Sequence, residues 1–374
     1  MSCKNAHIKG MLAVRGARQF LSSRPHLCRR TPFAPPFLRV QASMSTNDIE
    51  GASEETEGRR KTASLIPPLG PHLRKGSMGK VVVIGGCEEY TGAPYFAAYA
   101  ALKMGADLSH VFCTKDASSV IKSYSPELIV HPYLDERSSV SAVMAKFDPW
   151  MEKFSGNGTC VVIGPGLGRH PKILEQAKEM LLAFNSRGVP VVVDADGLWM
   201  LCEEPDIIKY LQREHVVLTP NPVEHRRIRD TGIDEFNTDV TWVLKGLKDV
   251  VLYSNVDDRI ATGNRRIFDV QELGSPRRAG GQGDILTGCI ATFIAWNCGE
   301  ASHPPVQQEE NAPKLSEREL RMETIARCAH AGCTVTRMAS ERAFRKHHRA
   351  MGAPEVINEL GQVIHDLEPL GHSL

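Results

Sequence analysis

Cys160-Val161-Val162-Ile163-Gly164-Pro165-Gly166-Leu167-Gly168 is a short, wholly apolar run that ends abruptly in glycines, and a helical pattern from Lys172 to Asn185 follows it. A strand apolar on both faces is buried on both faces, which is the condition of a parallel sheet covered by helices. The same grammar recurs along the chain. Val81 to Ile84 ends in Gly85-Gly86, and Gly92 to Met104 reads as an Ala-rich helix. Leu108 to Cys113 and Leu128 to Val130 read as strands, and Arg137 to Phe154 as a helix. Val189 to Val193 ends at Asp194-Ala195-Asp196-Gly197. His215 to Leu218 ends at Thr219-Pro220-Asn221-Pro222. Thr241 to Leu244, Val250 to Tyr253 and Arg259 to Ala261 are short and turn-linked, as in a hairpin-like edge. Asn297 to Ser316 is polar and reads as a surface loop. Helices over Glu317 to Met338 and Pro354 to Leu367 close the domain. Strands alternating with helices predict an α/β fold with a mostly parallel central sheet, in which ligands bind beyond the carboxyl ends of the strands.

Composition narrows the classes. Of 374 residues, 42% are hydrophobic, which suits a sizeable core, and 45 basic against 44 acidic side chains leave a net charge of +1. No bulk charge points to nucleic acid or to a membrane partner. The ten cysteines are scattered without a C-x-x-C pair, a pattern of reduced thiols rather than of a disulfide scaffold or zinc site. The first 47 residues stand apart. They contain no Asp or Glu, carry Lys4, Lys9, Arg15, Arg18, Arg24, Arg29, Arg30 and Arg39, and place a basic amphipathic pattern over Met11 to Ser23. That is the composition of an organelle transit peptide for mitochondrion or plastid, against the alternative of a disordered basic tail. Residues 48–63 read as a linker and 64–370 as the globular domain. Met44 is an internal start that would yield an untargeted, cytosolic form.

The strongest chemical signal is Gly274-Ser275-Pro276-Arg277-Arg278-Ala279-Gly280-Gly281-Gln282-Gly283-Asp284, directly before an apolar helix from Ile285 to Trp296. Glycines admit close backbone approach, a helix start offers unpaired N–H groups with partial positive charge, and arginine forks suit phosphate. Together they describe a polyphosphate cradle. A carboxylate beside phosphates is repelled, yet it can take a proton from an attacking hydroxyl, so Asp284 is the candidate general base. The plainer alternative is an N-capping Asp.

Other motifs admit two readings each. Gly164 to Gly168 is G-x-G-x-G rather than a dinucleotide fingerprint; it is a tight strand-to-helix turn or a glycine shelf for a ligand. Asn221-Pro222-Val223-Glu224 opens a helix that Thr219 can cap. Asn221 and Glu224 there can hold a ligand or a Mg²⁺-bound water, or Glu224 is only a favourable first-turn acid. Lys245-Gly246-Leu247-Lys248-Asp249 is a polar hairpin turn, or a lysine reaching nucleotide phosphates. Asp194 and Asp196 read first as strand-end Asx turns. Tyr90-Thr91-Gly92-Ala93-Pro94 starts a helix or lines a pocket.

Taken in order, Gly85-Gly86 with Tyr90 to Pro94, Gly164 to Gly168, Asp194 to Gly197, Leu218-Thr219-Pro220-Asn221-x-x-Glu224, Lys245-Gly246 and Gly280 to Asp284 resemble the ATP-dependent (S)-NAD(P)H-hydrate dehydratases. The likeness runs from about Ser64 to Leu367, and Lys122 to Pro132 is similar to the eukaryotic members. It implies a ribokinase-like three-layer sandwich. It also implies ATP-driven repair of NADHX and NADPHX, hydrated nicotinamide nucleotides that no longer carry hydride, with release of ADP and phosphate. By that resemblance Asp284 is the catalytic base. Lys245, Gly246, Leu247, Lys248 and Asp249 would bind ATP, with Gly274, Ser275, Pro276, Arg277, Arg278, Ala279, Gly280, Gly281, Gln282 and Gly283. Gly166, Asn221, Pro222, Val223, Glu224, His225, Arg226, Arg227 and Asp284 would bind NAD(P)HX. Mg²⁺ would bridge the phosphates. No protein metal site is assigned beyond Glu224 acting through water. The resemblance further implies functional pairing with an NAD(P)HX epimerase and allows a homo-oligomer.

Two departures accompany it. The stretch from Glu224 to Lys245 is short where the family usually carries a further helix, and Arg229 to Asp239 is too polar and brief to supply one. Ser77 stands where a glutamine is common. A small-molecule kinase of the same fold shares the Gly-x-Gly-Asp logic, but Tyr90 to Pro94 and Gly164 to Gly168 argue against it. A nucleotide-binding sensor without turnover is a further alternative, opposed by the intact Asp284.

Overall fold

Among the described residues, nine strands form one sheet in the order β3-β2-β1-β4-β5-β6-β7-β8-β9. The structure is a computed structural model and describes residues 56–71, 73–155, 158–236, 238–254, 265–298 and 315–368. The strands are β1 (Lys80–Ile84), β2 (Leu108–Thr114), β3 (Ile129–Leu134), β4 (Thr159–Ile163), β5 (Val191–Val193), β6 (Val216–Leu218), β7 (Thr241–Leu244), β8 (Val250–Ser254) and β9 (Arg265–Asp269). Every pair from β3 to β7 is parallel; β7–β8 and β8–β9 are antiparallel. The expected parallel sheet and antiparallel edge are both present. The expected strand at Arg259 to Ala261 lies outside the described residues, as do Met1 to Asn47, Met44 and most of the Asn297 to Ser316 loop.

The helices are α1 (residues 56–63), α2 (Gly92–Met104), α3 (Lys115–Tyr124), α4 (Val140–Phe154), α5 (Pro171–Asn185), α6 (Ala195–Glu203), α7 (Pro222–Asp230), α8 (Gln282–Asn297), α9 (Glu317–His347) and α10 (Ala353–Leu367). Alternate strand residues divide the apolar core between the two faces of the sheet. Val81 and Val83 of β1 pack with α2, α8, α9 and α10, whereas Val82 and Ile84 pack with α4, α5 and α6. This period of two places a helical layer on each side of the sheet. No helix among the described residues is long and apolar enough to cross a membrane.

Several elements differ from the sequence reading. Residues 56–63, read above within a linker, are helical. Glu57 pairs with Arg60 at 2.6 Å and with Lys61 at 3.5 Å along the helix, and Arg59 reaches Glu272 at 3.4 Å. α3 and α6 were not anticipated: each is a short stretch joining strands, with too few turns for its apolar spacing to stand out. α9 runs nine residues beyond Met338, to His347. Thr219 does not cap α7; its hydroxyl bonds the Val193 carbonyl, and Asn221 caps the helix in a reciprocal box with Glu224. Between α7 and β7 the described residues hold turns and no helix, as the short sequence there required.

Candidate active site

The crossovers bring the carboxyl ends of β4, β5, β6 and β7 side by side, and the N-terminus of α8 faces them. β5 stops at Val193, so Asp194 is the first residue beyond the sheet. Its backbone is fixed by Asp194 N–H to the Ile163 carbonyl at 3.0 Å and Gly197 N–H to the Asp194 carbonyl at 2.8 Å. Gly164, at φ 118°, makes this approach feasible, because a Cβ there would lie 1.8 Å from the Asp194 oxygen. The following residue, Ala195, sits at φ 48°, a left-handed conformation that costs a non-glycine residue about 1 kcal/mol or more. A strained turn that presents a buried carboxylate at the carboxyl edge is a feature of functional sites.

Lys245 follows β7 and crosses to this carboxylate. Its Nζ lies 2.7 Å from Asp194 Oδ1 and 3.8 Å from Glu224 Oε2. Glu224 in turn accepts from the Asn221 N–H at 2.8 Å. Gly283 closes the group: a Cβ at that position would stand 3.5 Å from Lys245 Nζ and 3.7 Å from Asp194 Oδ2. Asp284 is in the first turn of α8. The N-cap is Gly281, at φ 89°, so the plain reading of Asp284 as a cap does not hold.

The electrostatics follow from one cation among three carboxylates. Burial pushes the Asp284 carboxyl up to about 8, and the nearby Asp194 charge adds to this, while Lys245 opposes it. Burial likewise raises Glu224, against the pull of Lys245. Burial alone would lower Lys245, but Asp194, Glu224 and Asp284 outweigh it and hold its ammonium above the ordinary lysine range. A carboxyl poised near neutral pH is suited to exchange a proton with a substrate hydroxyl.

Beside this cluster lies a cavity of about 420 Å³. Among the residues lining it are Lys245, Gly246, Leu247 and Asp249 from the β7–β8 turn, Gly274, Ser275, Arg278, Ala279, Gln282 and Gly283 from the glycine loop, and Asn221 and Pro222 from α7. The two stretches read as nucleotide-binding thus wall one space. Not every member of them does so. Lys248 turns to Gln271 at 3.1 Å, and Arg277 donates to the Met351 carbonyl at 2.6 Å. Arg278 reaches across to the Gly246 carbonyl at 3.1 Å and is the arginine of the pair that borders the cavity. Pro276 and Gly280 are exposed and do not line it, and Gly281 packs against Phe96 and Ala353. Asp249 faces inward, with both oxygens engaged by Arg337 at 2.7 Å.

The residues read as binding the second substrate divide similarly. Gly166 is buried against Tyr90, where a Cβ would meet the Tyr90 carbonyl at 2.5 Å, so its first role is the turn itself. His225 pairs with Glu235 at 3.1 Å. Val223 and Arg226 are exposed. Arg227 and Arg169 both lie over the Trp199 ring, at 4.9 and 4.1 Å, and Arg169 is paired with Asp196 at 3.0 Å. Sequence reasoning missed Asp194 and Arg337. Asp194 carried a signal, a carboxylate at the carboxyl end of a parallel strand. Arg337 carried a weaker one, a charge embedded among Val335, Met338 and Ala339.

The comparisons agree with one another. A family model described as NAD(P)H-hydrate dehydratase matches residues 81–362. The chain is 36% identical over 366 residues to an ATP-dependent (S)-NAD(P)H-hydrate dehydratase of Sorghum bicolor, covering 91% of this chain and 85% of that protein. Its identity to the protein of that name from Homo sapiens is 37% over 336 residues, with 88% and 90% covered. Among solved structures it is similar to the ADP/ATP-dependent NAD(P)H-hydrate dehydratase of Bacillus subtilis co-crystallized with ATP/Mg²⁺. That match has 18% identity and a TM-score of 0.53, and covers 84% of this chain and 97% of that one. A ribokinase-like superfamily protein of Enterococcus faecalis matches with 19% identity and a TM-score of 0.61, covering 83% and 95%. These two likenesses establish the ribokinase-like fold.

Proposed function

The chain belongs to the NAD(P)H-hydrate dehydratase family, and from that premise we propose that it is the ATP-dependent hydro-lyase that converts (6S)-NADHX and (6S)-NADPHX to NADH and NADPH. The observation that carries the reading for this chain is the half-buried Asp284 carboxyl, raised by desolvation and next in sequence to Gly283, which lines a cavity walled by both nucleotide stretches. Hydroxide leaves poorly from the hydrated ring carbon. In the proposed reaction Asp284 takes the proton of that hydroxyl as its oxygen attacks the γ-phosphorus of ATP, and ADP departs. The ring nitrogen lone pair then expels phosphate, and loss of a proton from the neighbouring carbon restores the dihydropyridine. ATP is consumed to ADP and phosphate.

Gly246, Gly274 and Gly283 offer the backbone approach, and Arg278 the fork, for the polyphosphate. Among the described residues no three His, Cys, Asp or Glu side chains are grouped to hold a metal ion. A Mg²⁺ would arrive on the phosphates, and Glu224, 3.8 Å from the cavity-lining Lys245, would be the carboxylate to hold one of its waters. The assay is direct. Purified protein with NADHX, ATP and Mg²⁺ is expected to generate NADH absorbance, and equal rates without nucleotide would exclude the phosphorylation route.

Residues 1–47 are proposed as a mitochondrial or plastid transit segment and 64–370 as the body of the enzyme domain; of the 48–63 stretch between them, the helix 56–63 already contacts that domain through Arg59 and Glu272. The support is the acid-free basic composition of the first segment. Residues 1–43 fused to a fluorescent protein are expected to carry it into an organelle, and a form starting at Met44 is expected to stay cytosolic and active. A cytosolic 1–43 fusion would refute targeting. Pairing with an epimerase that supplies the S epimer belongs to the same proposal, and a homo-oligomer is compatible with it.

A further inference from the structure

The two stretches that wall the nucleotide cavity come from distant parts of the chain, and one buried side chain joins them. Arg337, on α9, is 6% exposed. Its Nε and one terminal nitrogen grip the Asp249 carboxylate at 2.7 Å each. That terminal nitrogen also donates to the Gly246 carbonyl at 3.0 Å. The other donates to the carbonyls of Leu247 at 2.7 Å, Leu273 at 3.0 Å and Glu272 at 3.2 Å. A guanidinium has five N–H donors in a rigid fork, and here the fork spans the β7–β8 turn and the segment entering the glycine loop at once. One turn further along α9, the Ser340 hydroxyl accepts from the Ser275 N–H at 3.2 Å. Gly274, at φ 69°, packs on the arginine stem, where a Cβ would lie 3.3 Å from Arg337 Cγ.

We infer that Arg337 is a positioning residue for the nucleoside triphosphate: its side chain borders the cavity, but its N–H donors are all engaged by Asp249 and the wall carbonyls, so its fork acts by orienting the backbone of both cavity walls toward the polyphosphate. The inference rests on the reading of this cavity as the ATP site. The physical reason lies in the planar trans peptide, whose carbonyl and N–H point in opposite directions. Turning the carbonyls of Gly246, Leu247 and Leu273 inward to Arg337 turns the N–H groups of Leu247, Lys248 and Gly274 away from it. Leu247 and Gly274 line the cavity. The Asp249 carboxylate neutralises the guanidinium, so the contribution is geometric rather than a long-range charge. Asp249 borders the cavity, but both its carboxylate oxygens are taken up by the clamp.

Arg337→Lys separates geometry from charge, because it keeps the cation and loses the fork. Binding of MgATP to the full chain is measured by tryptophan fluorescence or calorimetry, alongside KM and kcat for both substrates. Arg337→Lys is expected to weaken MgATP binding and to raise its KM by about tenfold or more, the worth of one to two charge-assisted hydrogen bonds. The KM for NADHX should stay within about twofold, since the lost contacts lie on the nucleotide side. A merely structural role would lower the melting temperature and leave MgATP affinity unchanged at temperatures where the variant is folded; that outcome overturns the inference. Should Arg337→Lys not fold, Asp249→Asn, which loosens one side of the same clamp, is expected to raise the MgATP KM several-fold, and an unchanged KM there overturns the inference equally. Wild-type protein that binds no MgATP would instead refute the proposed function.

Discussion

Asp284→Asn is expected to lower NADHX turnover by about 10²–10⁴-fold, the usual worth of a general base, while MgATP binding survives. The amide keeps the size of the carboxyl but cannot accept the hydroxyl proton. The pH dependence sharpens the test. Asp284 must be ionised to act, and burial with the Asp194 charge pushes its carboxyl up to about 8. In the free enzyme kcat/KM should therefore rise with pH toward about 8. A residual rate in Asp284→Asn should lack that rise. Stability has the opposite sign. The folded-state pKa lies above the ordinary Asp value of 3.8, so this stabilisation is fully present below pH 3.8 and is lost progressively as pH rises from there through about 8. Relative to wild type, Asp284→Asn should melt progressively higher from about pH 4 to about pH 8, with no further gain above that. Near-normal turnover in the purified variant would remove Asp284 from its role.

Lys245→Met is expected to destabilise the fold by about 3–5 kcal/mol at pH 8, because it leaves Asp194 and its neighbours as buried, uncompensated carboxylates. The ammonium is within 2.7 Å of Asp194 and 3.8 Å of Glu224, and its side chain is only 18% exposed, so solvent screens the group weakly. The penalty should shrink as pH falls and the raised carboxyls of Asp284 and Glu224 take up protons. Lys245 also holds Asp284 down, so its loss should move the rise in kcat/KM to higher pH. Adding Asp194→Asn to Lys245→Met should recover part of the lost stability, as the two partners are coupled. Thermal melts of the single and double variants across pH measure this. Additive losses would show that the pair is not a unit.

Much of the architecture was legible because it is written in local patterns. The apolar runs that stop at glycines predicted β1 and β4, those that stop at Asp194 and at Thr219-Pro220 predicted β5 and β6, and the alternation with helices predicted a parallel sheet. The glycine loop before α8 was readable for the same reason: glycines, arginines and a helix start act over a dozen neighbouring residues. α3 and α6 were not legible, since short helices between strands carry too little periodicity. The division of labour within the motifs was also hidden. Arg277 and Arg278 are adjacent in sequence and chemically alike, yet one bonds the Met351 carbonyl and the other borders the cavity. His225 stands in the substrate motif but turns to Glu235.

The amino-acid sequence by itself determined the class of fold and the family, and it singled out Asp284 at the head of α8 as the candidate base. These rest on backbone conformational preference, burial pattern and the ordered set of motifs, each confined to a short stretch of chain. Only the tertiary structure decided that Lys245 serves Asp194, 51 residues away, and that Arg337 grips Asp249 across 88 residues. It likewise decided that burial and a neighbouring carboxylate raise Asp284 while Lys245 opposes them. These are long-range pairings of charges in a low-dielectric interior. Their partners are chosen by which strand ends and helices the crossovers bring together, and no local pattern along the chain records that choice.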